Sequence, residues 1–154
     1  MRDLDRVDRR ILDLLQKNGR MPITELADKV GLSSTPCTER VRRMEREGVI
    51  TGYHARVDPA ALGRPLLVFV ELKLSAKSGE VFEKVRREML LVDEVMECHL
   101  VSGDFDYLVK ARIAAMGDYR RLLGNILLKL PAAAESRSYV VMEEVKETLY
   151  VPTG

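Results

Sequence analysis

Side chains able to do chemistry concentrate in two places. Arg40, Arg42, Arg43 and Arg46 fall within seven residues, and Gly103-Asp104-Phe105-Asp106-Tyr107 sets two carboxylates beside a glycine. Guanidinium groups carried on one helix donate to phosphates or, bidentately, to guanine, a contact worth about 1 to 3 kcal/mol of base discrimination. The same arginines can instead form a solvated helix face, salt-bridged to Glu39, Glu45 and Glu47. Glu39 repels phosphate, so on a DNA-facing helix its work is to orient Arg42 or Arg43, or to accept from a cytosine amine.

The second cluster suits a free amino acid, which needs a partner for its ammonium, donors for its carboxylate and an apolar pocket for its side chain. Asp104 or Asp106 can supply the first, loop N–H groups near Gly103 the second, and Leu100, Met116 and Val141 the third. Alternation running back from Tyr107 ties Asp106 to a strand start and leaves Asp104 at the turn tip, which favours Asp106. The two aspartates can equally be turn formers with local side-chain bonds. His99 and these aspartates lack a recognised metal-ligand spacing, so no metal site is expected. Neither His54 nor His99 has a nucleophile or acid at a meaningful spacing, and no phosphate-binding glycine loop or HExxH run occurs. No catalytic site and no cofactor are expected, and the chain does not read as an enzyme. Met89, Met96 and Met142, with Tyr139, read as core or interface filling.

The elements that must hold these clusters follow from apolar periodicity. Val7, Ile11, Leu14 and Leu15 mark a first helix closed by Gly19, and Leu26 and Val30 a second that follows Pro22 and stops at Gly31. Ser33, Ser34 and Thr35 before Pro36 are N-cap types that start a third helix running to about Glu47, with Gly48 ending it. Cys37, Val41 and Met44 form its apolar stripe, while Thr35, Thr38, Glu39, Arg42, Arg43 and Arg46 lie off it. Three helices with a short glycine turn between the second and third make a helix-turn-helix. Residues 49–57 alternate around Gly52 and predict a β-hairpin wing, and 58–65 predict a linker.

Beyond residue 65 the period changes. Leu67–Leu74 reads as a strand, a helix opens at Ser78-Gly79, and Val95–Val101 and Tyr107–Ile113 read as an antiparallel pair. Tyr119, Leu122, Leu123, Ile126, Leu127 and Leu130 stripe a helix ended by Pro131, and Ser136–Val145 is a last strand. Strand, helix, strand, strand, helix, strand is the ferredoxin-like βαββαβ unit, so the fold class is α+β. Two helices cover one sheet face, and the other, expected to carry Phe69, Cys98, Tyr139 and Val141, asks for a second copy packed sheet to sheet or edge to edge. The predicted division is 1–57, 58–65 and 66–154.

Composition narrows the function classes. Of 154 residues 46% are hydrophobic and 32% charged, with a net charge of +1, which excludes disorder, collagen and a disulfide scaffold. Residues 1–60 hold 12 basic and 10 acidic side chains, so DNA binding would rest on local placement and not on bulk charge. The apolar runs fall far short of the ~20 residues that span a bilayer. With no hydrophobic opening and two distant cysteines, Cys37 and Cys98, the expected setting is a reducing cytoplasm with free thiols.

Four long motifs, LDRVDRRILDLLQKNGR, VGLSSTPCTERVRRMEREGVI, ECHLVSGDFDYLVKAR and SYVVMEEVKE, in that order from Leu4 to about Glu147, closely resemble the feast/famine (Lrp/AsnC) family of bacterial transcriptional regulators. The resemblance implies a winged helix-turn-helix that binds double-stranded DNA, followed by an effector-binding and oligomerisation domain (RAM, ACT-like). It places Ser33, Ser34, Thr35, Pro36, Thr38, Glu39, Arg42, Arg43 and Arg46 at or near DNA. It builds an effector site between dimers on Leu100, Val101, Ser102, Gly103, Asp104, Asp106 and Tyr107, with Met116, Tyr139, Val140 and Val141. Implied with it are an amino-acid effector, expected to be leucine, self-assembly into dimers and then octamers or larger, and nucleoid association. Two rival readings are a nucleoid-architectural protein with little ligand control and an amino-acid-binding module that regulates an enzyme.

Overall fold

The computed structural model describes residues 3–130 and 133–154. Helix α1 (Arg6–Lys17) starts at a reciprocal cap, in which the Asp8 N–H donates to Asp5 Oδ1 at 2.8 Å and the Asp5 N–H to Asp8 Oδ2 at 3.3 Å. Helix α2 (Ile23–Val30) ends at Gly31, whose φ of 72° is the left-handed turn that a side chain resists, and the Leu32 N–H then returns to the Ala27 carbonyl. That turn aims α3 (Ser34–Arg46), which buries Cys37, Val41 and Met44 against Ile11, Leu14, Leu26 and Ala27. Ser33 holds the N-cap position with extended backbone but makes no side-chain cap bond, so the expected cap is positional only.

Two sequence expectations change here. Residues 49–57 form no strand, so the wing segment is present without its hairpin. The Tyr53 hydroxyl donates to Glu45 Oε1 at 3.0 Å, which ties this segment to the end of α3 and not to a second strand. The chain also divides differently from the prediction: residues up to Arg56 and the tail Lys146–Gly154 form one compact unit, and Val57–Val145 the other. The tail, assigned from sequence to the second domain, thus belongs in space with the three helices.

The second unit contains β1 (Leu66–Leu74), α4 (Gly79–Met89), β2 (Val95–Leu100), β3 (Tyr107–Ile113), α5 (Met116–Lys129) and β4 (Ala133–Val140). The sheet order is β2-β3-β1-β4 and its three pairings are antiparallel, the ferredoxin-like arrangement. Alternation puts Val68, Val70, Leu72 and Leu74 on the helix side, where they pack with Val85, Met89, Val109, Leu122 and Ile126. Cys98 pairs with Val109, so it faces this core and not the uncovered face, and burial pushes its thiol up to about 11. The uncovered face alternates Phe69, Leu108 and Tyr139 with Glu71, Lys110 and Arg137 in the paired registers. Strand β4 starts and stops earlier than predicted. Val141 adds one more bond, to the Leu67 carbonyl, and the chain then leaves the ladder. Pro131, expected to end α5, lies outside the described residues. Among the described residues no helix is long and apolar enough to cross a membrane, and no His, Cys, Asp and Glu group is placed to hold a metal ion.

Candidate nucleic-acid interface and effector loop

The four arginines of α3 divide into two pairs. Arg43 Nη2 lies 2.6 Å from Asp8 Oδ2, while Arg40 Nη1 lies 2.9 Å from Asp8 Oδ1 and 2.6 Å from Asp5 Oδ2. Asp8 is 1% exposed, so a buried carboxylate that also caps α1 binds two guanidinium groups of the helix packed across it. The Asp8 N–H and then Arg40 hold the Asp5 carboxyl below its ordinary range, and the same ion pairs raise Arg40. Arg43, which the sequence places with the DNA-facing groups, has its charge engaged by Asp8 inside the unit. Among the described residues Glu39, Glu45 and Glu47, the glutamates weighed as salt-bridge partners, pair with none of these arginines. The sequence carried a signal for the true pairing in two i, i+3 pairs of opposite sign, Asp5 with Asp8 and Arg40 with Arg43.

Arg42 and Arg46 are exposed and hold no ion pair among the described residues. With Thr35 and Glu39 they follow the i, i+4, i+7, i+11 spacing that makes one outward stripe on a helix. Ser33 and Ser34 are exposed at its start, Pro36 is half-buried, and the half-buried Thr38 hydroxyl donates to the Ser34 carbonyl at 2.8 Å. An exposed helix N-terminus continued by two unpaired arginines can take phosphate at its first turn and base edges or phosphate further along.

The second cluster forms the β2–β3 connection. The Val101 N–H donates to the Asp106 carbonyl, the Asp106 N–H to the Leu72 carbonyl, and Asp106 Oδ2 accepts from the Leu74 N–H at 2.8 Å. Lys77 Nζ sits 2.7 Å from Asp106 Oδ1. The Leu74 N–H and then Lys77 hold this carboxyl, 6% exposed, below its ordinary range. Asp106, preferred from sequence as the ammonium partner, is therefore the anchor that fixes the loop to the end of β1. Nothing in the sequence links Lys77 or Leu74 to it. Asp104 and Ser102 are exposed at the tip, where Gly103 has φ 145°, a conformation open essentially to glycine.

Tyr107 turns to the helix side, 7% exposed, its ring 6.4 Å from that of Phe82. Val101 is half-buried, whereas Leu100, Met116, Tyr139 and Val140 are exposed apolar side chains. The predicted effector residues fall at two ends of the sheet. The loop meets β1 at Leu74, and Val141 meets it at Leu67. Met116 also lies at the Leu67 end, just past Ile113, the partner of Leu66. Seven residues at ~3.3 Å each put the Asp106 and Val141 contacts roughly 23 Å apart along β1, while Tyr139, opposite Phe69, lies only three residues, roughly 10 Å, along the strand from Leu72, the partner of Tyr107.

Two family models match the chain, winged helix-turn-helix DNA-binding over residues 4–51 and Lrp/AsnC ligand binding domain over 67–151. The chain belongs to the Lrp/AsnC family. The leucine-responsive regulatory proteins of Escherichia coli K12 and of Salmonella typhimurium are each 54% identical to it over 147 residues, 96% of this chain and 90% of theirs. An AsnC family transcriptional regulator from Agrobacterium tumefaciens superposes with a TM-score of 0.91 at 33% identity, covering 96% of both chains. A Neisseria meningitidis transcriptional regulator solved as an L-Met complex does so at 0.91 and 29%, covering 97% of both. The three-helix unit is thus the DNA-binding half of an Lrp-type transcriptional regulator, and the βαββαβ unit its amino-acid-binding half.

Proposed function

We propose that this chain binds double-stranded DNA through α3 as a multimer of dimers, and that an amino acid bound between chains sets how those dimers associate. The observation that carries the reading is the division of the α3 arginines, with Arg40 and Arg43 neutralised by Asp5 and Asp8 while Arg42 and Arg46 are exposed and hold no ion pair among the described residues. Ser33, Ser34, Thr35 and Pro36 meet the phosphate backbone at the helix start, and Thr38, Glu39, Arg42 and Arg46 lie along the groove. Arg43 acts indirectly, by holding α3 against α1.

The effector is an amino acid, with leucine indicated by the name of the 54% identical relatives. Asp104 takes its ammonium and the loop N–H groups around Gly103 its carboxylate, beside Leu100. Asp106, Val101 and Tyr107 hold the loop in shape. Met116 and Val141, with Tyr139 and Val140 beside them, come from a second chain, because one chain meets Val141 at Leu67, roughly 23 Å along β1 from the Leu74 contact that fixes the loop. The mixed apolar and charged sheet face pairs two chains into a dimer, and dimers assemble further, to an octamer or larger. Ligand that favours one arrangement of dimers changes how many α3 helices reach half-sites spaced by multiples of ~34 Å, which is linkage between effector and DNA. Weak sites then sum by avidity on bent DNA. The protein works in this reading as a non-enzymatic regulator in the cytoplasm, at the nucleoid.

Sedimentation of the purified protein with and without leucine, alongside binding to its own upstream DNA at one fixed salt concentration, tests this. A leucine-dependent change in both is expected. DNA binding indifferent to every amino acid would favour a nucleoid-architectural protein, and no DNA binding would return the effector-binding half to the role of a module that regulates an enzyme.

A further inference from the structure

After β4 the chain is fastened twice. Glu144 accepts from Arg112 Nη1 and Nη2 at 3.0 and 2.7 Å, and Arg112 is 5% exposed, so this first anchor is a two-pronged ion pair within the effector-binding unit. From Lys146 onward the chain belongs to the DNA-binding unit and lies along α1. The Val151 N–H donates to Gln16 Oε1 at 2.7 Å, and Gln16 Nε2 donates back to the Val151 carbonyl at 2.9 Å. A side-chain amide here does what a neighbouring strand would do for an extended peptide. The Tyr150 hydroxyl donates to Asp13 Oδ1 at 2.7 Å, with Lys17 Nζ 5.7 Å from the centre of its ring, and Arg9 Nη1 donates to the Thr153 carbonyl at 2.9 Å. Arg9, Asp13 and Gln16 are spaced i, i+4, i+7, one face of α1 and not the one that buries Ile11 and Leu14.

We propose that this face of α1 is a docking site for the extended segment 146–154, and that the docked segment is the connection by which effector occupancy reaches the DNA-binding unit. The ligand-binding family model runs to residue 151, so the segment is part of the effector half by descent and of the DNA-binding half in space. Only residues 142–145 separate it from Tyr139, Val140 and Val141, the residues assigned above to the effector site, and the coupling rests on that assignment. Tyr150 follows Glu144 by six positions, a reach of no more than about 22 Å even fully extended. Such a short tether, fixed at both ends, limits how far the β4 exit can move before the Tyr150 and Val151 contacts are pulled or freed. Two discrete arrangements of one element, each favoured by a different ligand, are what coupling between sites requires.

The full-length protein with Gln16→Ala and Tyr150→Phe together tests both parts, since neither residue is placed in the DNA or effector site. Amide exchange of Val151 reports docking, calorimetry reports leucine binding, and titration of upstream DNA reports coupling. The unsubstituted protein should protect the Val151 amide and the double variant should lose that protection. Leucine affinity and DNA affinity without leucine should stay within about twofold, while the leucine-induced change in DNA affinity should fall to near one. Tyr150→Phe alone, which keeps the ring over Lys17, should give an intermediate loss. A full leucine effect in a double variant whose Val151 amide exchanges freely overturns the connection. An unprotected Val151 amide in the unsubstituted protein overturns the docking site. If the unsubstituted protein shows no leucine effect on DNA, the functional reading and the coupling fall together, and Val151 protection still decides the docking.

Discussion

Arg42 and Arg43 are adjacent in sequence and differ in everything that matters for binding. Arg42 is exposed and without an ion pair among the described residues, whereas Arg43 is committed to Asp8, a carboxylate 1% exposed. An exposed arginine that neutralises a phosphate releases a counterion, so its removal lowers affinity and the salt dependence together. Arg42→Ala and Arg46→Ala should each reduce the slope of log affinity against log salt by about 0.9, with the unfolding midpoint little changed. Arg43→Ala leaves a buried carboxylate short of a partner, and Asp8→Ala leaves two guanidinium groups without theirs. Each should cost about 1 to 3 kcal/mol in urea unfolding while leaving the salt slope nearly intact wherever the unit remains folded. Equal salt slopes for Arg42→Ala and Arg43→Ala, with unaltered stability, would refute the division of the helix into two pairs.

At the scale of elements, the β2–β3 loop is held by one carboxylate. The Asp106 carboxyl lies below its ordinary 3.8 because the Leu74 N–H and then Lys77 favour its charged form. A lowered carboxyl contributes stability that is complete above the unfolded value and is lost as pH falls through the folded one. Asp106→Asn should therefore lower the melting temperature at pH 7, and the gap to the unsubstituted protein should narrow as pH drops below about 4. A gap that holds constant through acid would mean the charge is not what fixes the loop. The same variant should weaken the effector response through a displaced loop, with DNA affinity retained. Strand β3 was legible to both of its ends, because period-two alternation and flanking turn residues agree from Tyr107 to Ile113. The helix-turn-helix was legible for the same reason at period 3.6. The wing misled, since alternation around Gly52 has the form of a hairpin while Tyr53 instead bonds to Glu45. The end of β4 misled too. Its apolar run continues to Met142, which is 97% exposed, and Glu144 turns to Arg112. The i, i+3 spacing of Asp5 with Asp8 and of Arg40 with Arg43 hints at their pairing without saying which helices meet, and tail contacts such as Tyr150 with Asp13 at a separation of 137 residues leave no periodic trace in the chain. They arise from tertiary packing and cannot be read from local pattern.

At the scale of the whole molecule, the sheet sets the two ends of the proposed effector site, the β2–β3 loop and Val141, at opposite ends of β1. Leu74 fastens the loop at one end of β1, and the Val141 N–H meets the Leu67 carbonyl at the other. A ligand the size of an amino acid cannot touch both across roughly 23 Å, so a site that uses both must draw on two chains. This arrangement has an arithmetic consequence that a one-chain site lacks. Chains carrying Asp104→Ala have a defective loop and an intact Val141 end, and chains carrying Val141→Asp the reverse. Each variant alone should bind no leucine by calorimetry. When the two are unfolded together and refolded in equal amounts, random pairing should rebuild about a quarter of the sites, those whose loop comes from the second variant and whose apolar end comes from the first. The rebuilt fraction should rise and then fall as the mixing ratio moves through equality, because each good site needs one chain of each kind. A site built within one chain predicts no recovery at any ratio, since every chain in the mixture carries one defect. Recovery of binding by mixing would establish both the composition of the site and the reason that effector and assembly are linked: ligand that touches two chains necessarily favours the arrangement that brings them together.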